Sequence, residues 1–206
     1  MKKRSLTIVC LLMLVFTADS VAWISFRLPR VIAGGAVGLF RISLDDFKQH
    51  YSSRWDYIYS GHINIRTYRD YYLTLQYAKY DNDKVSKQFA NQNQTQQLPR
   101  WQQEFINFGV RWYSDTAGKW NFYTGLGLTF ITVEEQPGLS LFVNSSSDQK
   151  KGRGFFLELG TNFQFLPHLA WLVELEMTSA GEGGMPGFVG HSIGGYTFQT
   201  GLEFYF

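Results

Sequence analysis

The sequence predicts an all-β fold, an eight-stranded antiparallel up-and-down transmembrane β-barrel, and three observations support this prediction. Eight segments alternate apolar and polar residues with a period of two, the pattern of a strand with two different faces. Short and long connections alternate between these segments. The polar face is poor in charge, and the chain as a whole has few charges: 17% of the 206 residues are charged and 45% are hydrophobic.

The first four strands are expected at 31–42, 55–68, 71–81 and 101–114. In the second strand the odd positions are apolar or neutral, while His62, Asn64 and Arg66 share the other face. The remaining three are less regular, because each has one charge on its apolar face near one end. These charges are Arg41, Lys79 and Glu104.

The last four strands alternate more cleanly and are expected at 119–132, 154–166, 169–179 and 194–206. Their apolar faces are crowded with Phe, Trp and Leu and carry no charge. Their polar faces combine Gly, Asn, Gln and Thr with a few carboxylates, which are Glu158, Glu174, Glu176 and Glu203.

The connections differ in length according to their place in the chain. Short ones follow the second, fourth and sixth strands, and long ones follow the others. The long connections contain the Gly, Asn, Gln, Ser and Pro that mark loops. The short connections lie at 69–70, 116–118 and 167–168, and the long ones at 43–54, 82–100, 133–153 and 180–193.

The direction of the apolar face separates a membrane barrel from a soluble lipocalin-like barrel, which also has eight antiparallel strands. A strand face in water would be rich in charges, whereas this polar face is mostly Gly, Asn, Gln, Thr and Tyr. The apolar side chains are also bulkier than an eight-stranded interior can pack. We therefore expect the apolar face to contact lipid and the polar face to line a filled lumen, because a closed sheet pairs its backbone without water.

Aromatic residues cluster near both ends of the predicted strands, which is the two-girdle pattern of barrels in a bilayer. The girdle near the short connections comprises Tyr68, Tyr71, Trp112, Trp120, Phe165, Trp171, Phe204 and Phe206. The girdle near the long connections comprises Trp55, Tyr57, Tyr80, Trp101 and Tyr196.

The N-terminus predicts a cleaved signal peptide at 1–22, followed by a barrel domain at 23–206. A basic start precedes an apolar run at 6–16, and a small-x-small cleavage site ends at Ala22. The run is too short for a spanning helix, which needs about 20 residues. Cleavage would remove the one cysteine and leave 16 basic and 16 acidic residues, so no nucleic-acid partner is expected.

With these features the chain resembles bacterial outer-membrane β-barrel proteins of the small eight-stranded type, such as the OmpA transmembrane domain, OmpX and OmpW. The resemblance covers about 31–206. It implies localisation in the bacterial outer membrane, among outer-membrane lipid and lipopolysaccharide. In that family a terminal Phe with apolar residues at alternate positions before it is the signal for the barrel-assembly machinery. Leu202, Phe204 and Phe206 match this signal.

Charges on the polar face form the clearest candidate site, a charge network in the lumen. Arg66, Arg111 and Glu203 lie a few residues from the end with short connections, and Glu174 lies about one layer farther in. Because buried charges must be compensated, both arginines are expected to pair with Glu203, Glu174 or Glu176. The network favours a packed lumen over a path for protons or ions. It comprises Arg66, Arg111, Glu158, Glu174, Glu176 and Glu203.

An enzyme is the main alternative, because some small outer-membrane barrels modify lipid A with His and Ser near the outer leaflet. His191 and Ser192 are the candidates here. Deacylases of that class have one residue between the two, whereas adjacent strand residues point to opposite faces. His62 has no second His or Cys beside it in the sequence, which favours a hydrogen-bonded filler over a metal ligand. No cofactor or metal is expected.

The sequence thus favours a monomeric, non-enzymatic outer-membrane barrel with a filled polar lumen and four long surface loops. Its predicted role is structural or in surface interaction. The alternatives are a lipid A-modifying acyl hydrolase of the outer membrane and an OmpW-like conduit for small apolar molecules.

Overall fold

The structure, a computed structural model, describes residues 29–44, 47, 51–83, 100–114, 119–136, 149–182 and 192–206. The predicted signal peptide at 1–22 and the enzyme candidate His191 lie outside these ranges. No helix in the described part of the chain is long and apolar enough to cross a membrane.

Eight antiparallel strands close into one barrel, which confirms the predicted fold class. Each strand pairs with its neighbours in chain order, and β1 pairs with β8 to close the sheet, with Ile32 opposite Tyr205. The strands are β1 (Val31–Ile42), β2 (Trp55–Tyr68), β3 (Tyr71–Asn82), β4 (Arg100–Tyr113), β5 (Trp120–Gln136), β6 (Gln149–Leu166), β7 (Leu169–Glu182) and β8 (Gly195–Tyr205).

The hairpin of β5 and β6 is longer than the sequence predicts. The Gly, Asn, Gln, Ser and Pro content of 133–153 predicts a loop, but strand pairing continues there, with Thr132 opposite Lys151 and Val133 opposite Lys150. A hairpin that extends beyond the lipid lies in water, where neither face needs to be apolar. Apolar alternation therefore marks only the membrane part of these strands.

The connections separate the barrel into two ends. At one, which we call the short-turn end, β2 and β3 are joined by a two-residue turn in which Arg69 has a φ of 47°. Such left-handed backbone is what tight hairpin turns require. The short connections are 69–70, 114–119 and 167–168. The opposite, long-connection end carries 43–54, 83–99, 137–148 and 183–194.

The outside of the barrel is a belt of apolar side chains. Thirty-four large apolar residues in the described ranges have 40–71% of their surface exposed. Soluble monomers expose apolar patches of only about a few hundred Å². In the described strands the outward positions are charged only near the long-connection end, at Arg41, Lys79, Asp81, Arg100, Glu104, Glu134, Lys151 and Arg153. The belt therefore faces lipid, and the soluble lipocalin-like alternative is excluded.

The aromatic girdles agree with the sequence at one end and differ at the other. All eight girdle residues of the short-turn end are at least 40% exposed on the outside. At the long-connection end Trp55, Tyr57 and Tyr196 also face outward, but Tyr80 and Trp101 are completely buried inside the barrel. Strand alternation explains the difference, because their neighbours Lys79 and Arg100 occupy the outward positions.

The interior has two differently filled halves, which corrects the prediction of a polar lumen. The half toward the short-turn end contains buried charged and amide side chains, together with a second and smaller cluster of aromatic and aliphatic residues near the turns. This smaller cluster comprises Ile32, Tyr72, Tyr113, Tyr123, Ala170, Leu172 and Tyr205. The half toward the long-connection end contains an apolar cluster that we call the outer plug. The plug comprises Phe40, Ile42, Leu44, Phe47, Tyr51, Ile58, Ala78, Tyr80, Trp101, Phe105, Ile131, Val133, Ala180 and Ile193.

Candidate functional site

The polar half of the lumen is organised around Arg111, a fully buried arginine on β4. Its guanidinium donates to both carboxylate oxygens of Glu158 on β6, with Nε–Oε1 at 2.6 Å and Nη2–Oε2 at 2.8 Å. Nη2 also donates to Glu174 Oε2 at 3.0 Å, and Nη1 lies 3.6 Å from Glu203 Oε1. We call the set of Arg111, His62, Glu158, Glu174, Glu176 and Glu203 the inner network.

Glu174 is held from three sides. Besides Arg111, it accepts a hydrogen bond from the Tyr123 hydroxyl at 2.5 Å and one from Gln199 Nε2 at 2.5 Å. The Tyr123 ring also lies under the guanidinium, with 4.2 Å from Arg111 Cζ to the ring centroid. Carboxylates with several donors of this kind tolerate burial, because the lost water contacts are replaced.

Glu203 pairs with a histidine. Its Oε1 lies 2.9 Å from His62 Nε2 on β2, and its Oε2 accepts from Asn162 Nδ2 at 2.5 Å. The strand between β2 and β8 is β1, whose Gly34 pairs with both residues. A Cβ on Gly34 would lie 2.8 Å from His62 Nε2 and 2.9 Å from Glu203 Cγ. The missing side chain thus lets the histidine and the glutamate meet across β1.

Glu176 is the one carboxylate of the inner network without a cationic partner among the described residues. Its Oε1 accepts from Asn107 Nδ2 at 3.2 Å, and its Oε2 is buried with no hydrogen-bond partner. It lies directly opposite Glu158 in the β6–β7 pairing. The inner network thus sets four carboxylates against one guanidinium and one imidazole.

Arg66 lies outside the inner network, which corrects the expected pairing. Its side chain is exposed near the turn that ends β2, where it is hydrogen-bonded to the Tyr72 hydroxyl. Strand alternation places Arg66 on the lumen face, but it stands close to the end of the strand and its side chain is exposed. His62, four residues deeper on the same strand, contacts Glu203 instead.

A metal could be held by Glu158, Glu174 and Glu176, because one oxygen of each lies within 4.8 Å of the others. The guanidinium of Arg111, however, already binds Glu158 and Glu174. A cation would have to displace it from an enclosed position, so this geometry favours a structural ion-pair cluster.

Ser192, the described member of the enzyme candidates, has a structural environment. It is 6% exposed, and its Oγ accepts hydrogen bonds from the backbone N–H groups of Ala180 and Gly194 at 3.2 and 3.1 Å. A nucleophilic serine needs an activating base within hydrogen-bond reach and access to substrate. The hydrogen bonds of Ser192 instead fix the backbone beside Ile193, which packs in the outer plug.

The outer plug is built largely from aromatic rings. Phe40 contacts Tyr80 and Phe105 edge to face, with centroids 4.9 and 5.2 Å apart. Phe47 and Tyr51, from the connection after β1, stack at 4.4 Å and lie against Trp101. The last connection reaches in as well, since Gln103 Nε2 donates to the carbonyl of Ile193 at 2.5 Å.

The sequence contains one signal for the outer plug. Near the long-connection end, apolar residues occupy both strand faces, so alternation weakens there. Ile58, Phe105 and Ile131 stand at positions that have lumen parity. The packing of Phe47 and Tyr51 in the plug could not be predicted in this way, because residues in a connection do not alternate between two strand faces.

The residues of the expected assembly signal lie on the lipid side of β8. Leu202, Phe204 and Phe206 are 44%, 49% and 71% exposed. Their recognition by the barrel-assembly machinery stays a prediction.

No protein-family model and no curated protein sequence matches the chain. Solved structures do. The chain is similar to Neisserial surface protein A, with a TM-score of 0.57, 15% identity and coverage of 85% of this chain and 96% of that one. It is similar to the outer membrane protein OprG from Pseudomonas aeruginosa, with a TM-score of 0.57, 12% identity and coverage of 88% and 98%. For Ail, the attachment invasion locus protein of Yersinia pestis, the values are 0.52, 11%, 87% and 100%.

These similarities establish the fold. The chain has the architecture of the small eight-stranded outer-membrane barrels, as the sequence indicated. Its apolar belt shows that the barrel is a membrane protein. Together the fold and the belt support its predicted localisation in the bacterial outer membrane.

Proposed function

We propose that this protein is a closed outer-membrane barrel that acts through its surface, in a structural or surface-interaction role, and not through its lumen. The observation that carries the proposal is the filling of the lumen by two successive clusters. The outer plug occupies the long-connection end, and the inner network, with the aromatic and aliphatic residues packed near the short turns, occupies the other half. An eight-stranded barrel is just wide enough for side chains to fill it.

The distribution of connections supports a surface role. Four connections of 12–17 residues leave the same end of the barrel, whereas two of the three at the opposite end have two residues. Long loops on a rigid scaffold are common sites of binding. In the outer membrane the long-connection end would face outward. The similar protein Ail is named for attachment and invasion, which fits a loop-based role of this kind.

Conductance in a planar lipid bilayer tests the closed lumen. We expect the purified wild-type barrel to give no current steps above the lipid baseline. Trp101→Ala, which opens the outer plug, should remain silent because the inner network still fills the other half. Phe130→Ala, a change of similar kind on the lipid side, is the matched control. Reproducible steps from the wild-type protein would contradict the proposal and favour a conduit.

The lipid A hydrolase alternative receives no support from the described residues. Ser192 is buried and its Oγ is engaged by two backbone donors. We expect the mass of lipid A to be the same in cells that produce the wild-type protein, in cells with Ser192→Ala and in cells without the protein. Loss of an acyl chain that depends on the wild-type protein would restore the alternative.

A further inference from the structure

A cationic cavity lies at the short-turn end, between the start of β1 and the turn that follows β2. Its volume is about 550 Å³. Three arginines line it, Arg30, Arg66 and Arg69. The other wall includes the apolar and aromatic side chains of Val31, Ile65 and Tyr68.

Local contacts hold the backbone of this region and two of the three guanidinium groups. The Arg66 N–H donates to the carbonyl of Arg30 at 2.9 Å, which ties the two chain segments together. The Arg66 guanidinium is hydrogen-bonded to the Tyr72 hydroxyl, which in turn donates to the carbonyl of Pro29 at 2.6 Å. The Arg69 guanidinium lies over the Tyr68 ring, 5.2 Å from its centroid. A guanidinium retains further N–H donors when it makes one such contact.

The cavity has excess positive charge. Within the described ranges, neither Arg30 nor Arg69 forms an ion pair, and the acidic residue in the turn itself is Asp70. Three guanidinium groups around one cavity favour an anionic ligand. Planar guanidinium groups bind phosphate oxygens in pairs, a geometry that Lys cannot provide.

The location of the cavity indicates which kind of molecule would present a phosphate group to it. Ile65 and Tyr68 are 53% and 62% exposed on the lipid-facing side, so one wall is continuous with the apolar belt. The arginines stand at the same end of the barrel as the aromatic girdle residue Tyr68, and such girdles lie at the level of lipid headgroups. We propose that the cavity binds the phosphate group of an anionic glycerophospholipid, with the acyl chains along Ile65 and Tyr68. This inference rests on the membrane embedding of the belt and is independent of a closed lumen.

Lipid retention measured by native mass spectrometry tests the site. The full-length barrel is reconstituted in nanodiscs with equal amounts of phosphatidylglycerol and phosphatidylcholine. It is then released from the nanodiscs in the mass spectrometer, and the mass of the protein with its bound lipid is measured. We expect the wild-type protein to retain phosphatidylglycerol preferentially. The variant Arg30→Gln/Arg69→Asn should lose that preference by about tenfold or more, the effect of removing about 1.4 kcal/mol of binding free energy. Asn is chosen for position 69 because it tolerates the positive φ.

The matched control is Lys151→Gln/Arg153→Gln, which removes the same charge from the opposite end and should keep the preference. Heat-modifiable migration on a denaturing gel verifies that each variant is folded, and single Arg30→Gln and Arg69→Asn variants replace the double variant if it fails. Equal losses in the site and control variants would overturn the proposal, since net charge alone would then explain retention. No preference in the wild-type protein would overturn it too.

A competition experiment distinguishes a site for a phospholipid from a site for free inorganic phosphate. We expect inorganic phosphate to leave the bound phosphatidylglycerol in place, because the apolar wall adds to the binding of a lipid. Displacement by inorganic phosphate, but not by chloride at the same ionic strength, would contradict the lipid assignment. Neither result depends on bilayer conductance, so this test is separate from the test of the closed lumen.

Discussion

The outer plug and the inner network are clusters of opposite chemistry inside one barrel. The outer plug is made of aromatic and aliphatic side chains that need no specific partner, and parts of it come from connections between strands. The inner network is made of charged groups on the strands themselves, each placed for a particular contact. The stability of the plug therefore depends on the volume that its side chains fill, whereas that of the network depends on charge balance and geometry. The two clusters should therefore respond differently to mutation.

The largest effect is expected from Arg111→Met, which removes the guanidinium and leaves three carboxylates without their shared partner. Breaking a buried charge cluster in this way costs about 3–5 kcal/mol. A guanidinium chloride titration of the barrel in lipid vesicles measures the change in the free energy of unfolding. Arg66→Gln, at the exposed end of β2, is the control and should cost only a small fraction as much. Comparable losses would mean that the network does not centre on Arg111.

Phe40→Ala tests the outer plug and should have the next largest effect. We expect the free energy of unfolding to fall by about 3 kcal/mol, because apolar burial is lost and a cavity is left behind. The same titration applies. Phe130→Ala on the lipid side should cost less, because acyl chains can fill the space that the ring leaves. If the two variants were equally destabilised, the plug would contribute no packing beyond that of the belt.

Gly125→Ala probes the geometry of the network without changing its charge. The added Cβ would lie 2.0 Å from Glu158 Oε1, whose position Arg111 fixes. Overpacking of this kind costs about 1–3 kcal/mol. At Gly61, on the outside of β2, the nearest atom to an added Cβ would be the Gly34 carbonyl oxygen at 3.7 Å, so Gly61→Ala should be nearly neutral. An equal loss at both positions would attribute the effect to glycine in strands generally.

The smallest effect, and one of opposite sign, is expected from Glu176→Gln. This change removes a carboxylate that has no cationic partner in the described part of the chain and that faces Glu158 across the strand pair. Relief of like-charge repulsion should leave the free energy of unfolding unchanged or raise it. Glu158→Gln, which weakens the bidentate contact with Arg111, should lower it by about 1.5–3 kcal/mol. A larger loss at Glu176 than at Glu158 would reverse this ranking of the two carboxylates.

The strands and the belt could be predicted from the sequence because alternation is a local property. Leu157 and Glu158, for example, must point to opposite faces wherever the strand lies. Alternation also identified the lumen carboxylates and Arg111. It could not separate Arg66 from the inner network, because parity assigns a face but not a depth in the barrel.

Contacts across the lumen could not be predicted from the sequence, for a different reason. The pairing of His62 with Glu203 joins residues that are 141 positions apart and depends on the glycine at position 34 between them. The outer plug likewise brings Phe47 together with Trp101 from another strand. Such contacts follow from strand order and closure, which no single segment reveals.

Spin labels placed along β5 test whether the apolar strand faces contact lipid while the opposite faces enclose a filled lumen. Single cysteines at Leu126, Leu128 and Phe130 are compared with one at Thr129, which is small and completely buried. The outward labels should be relaxed by oxygen dissolved in the bilayer and shielded from a water-soluble nickel chelate. The label at Thr129 should be inaccessible to both. Outward labels that respond to the chelate instead of oxygen would contradict the account.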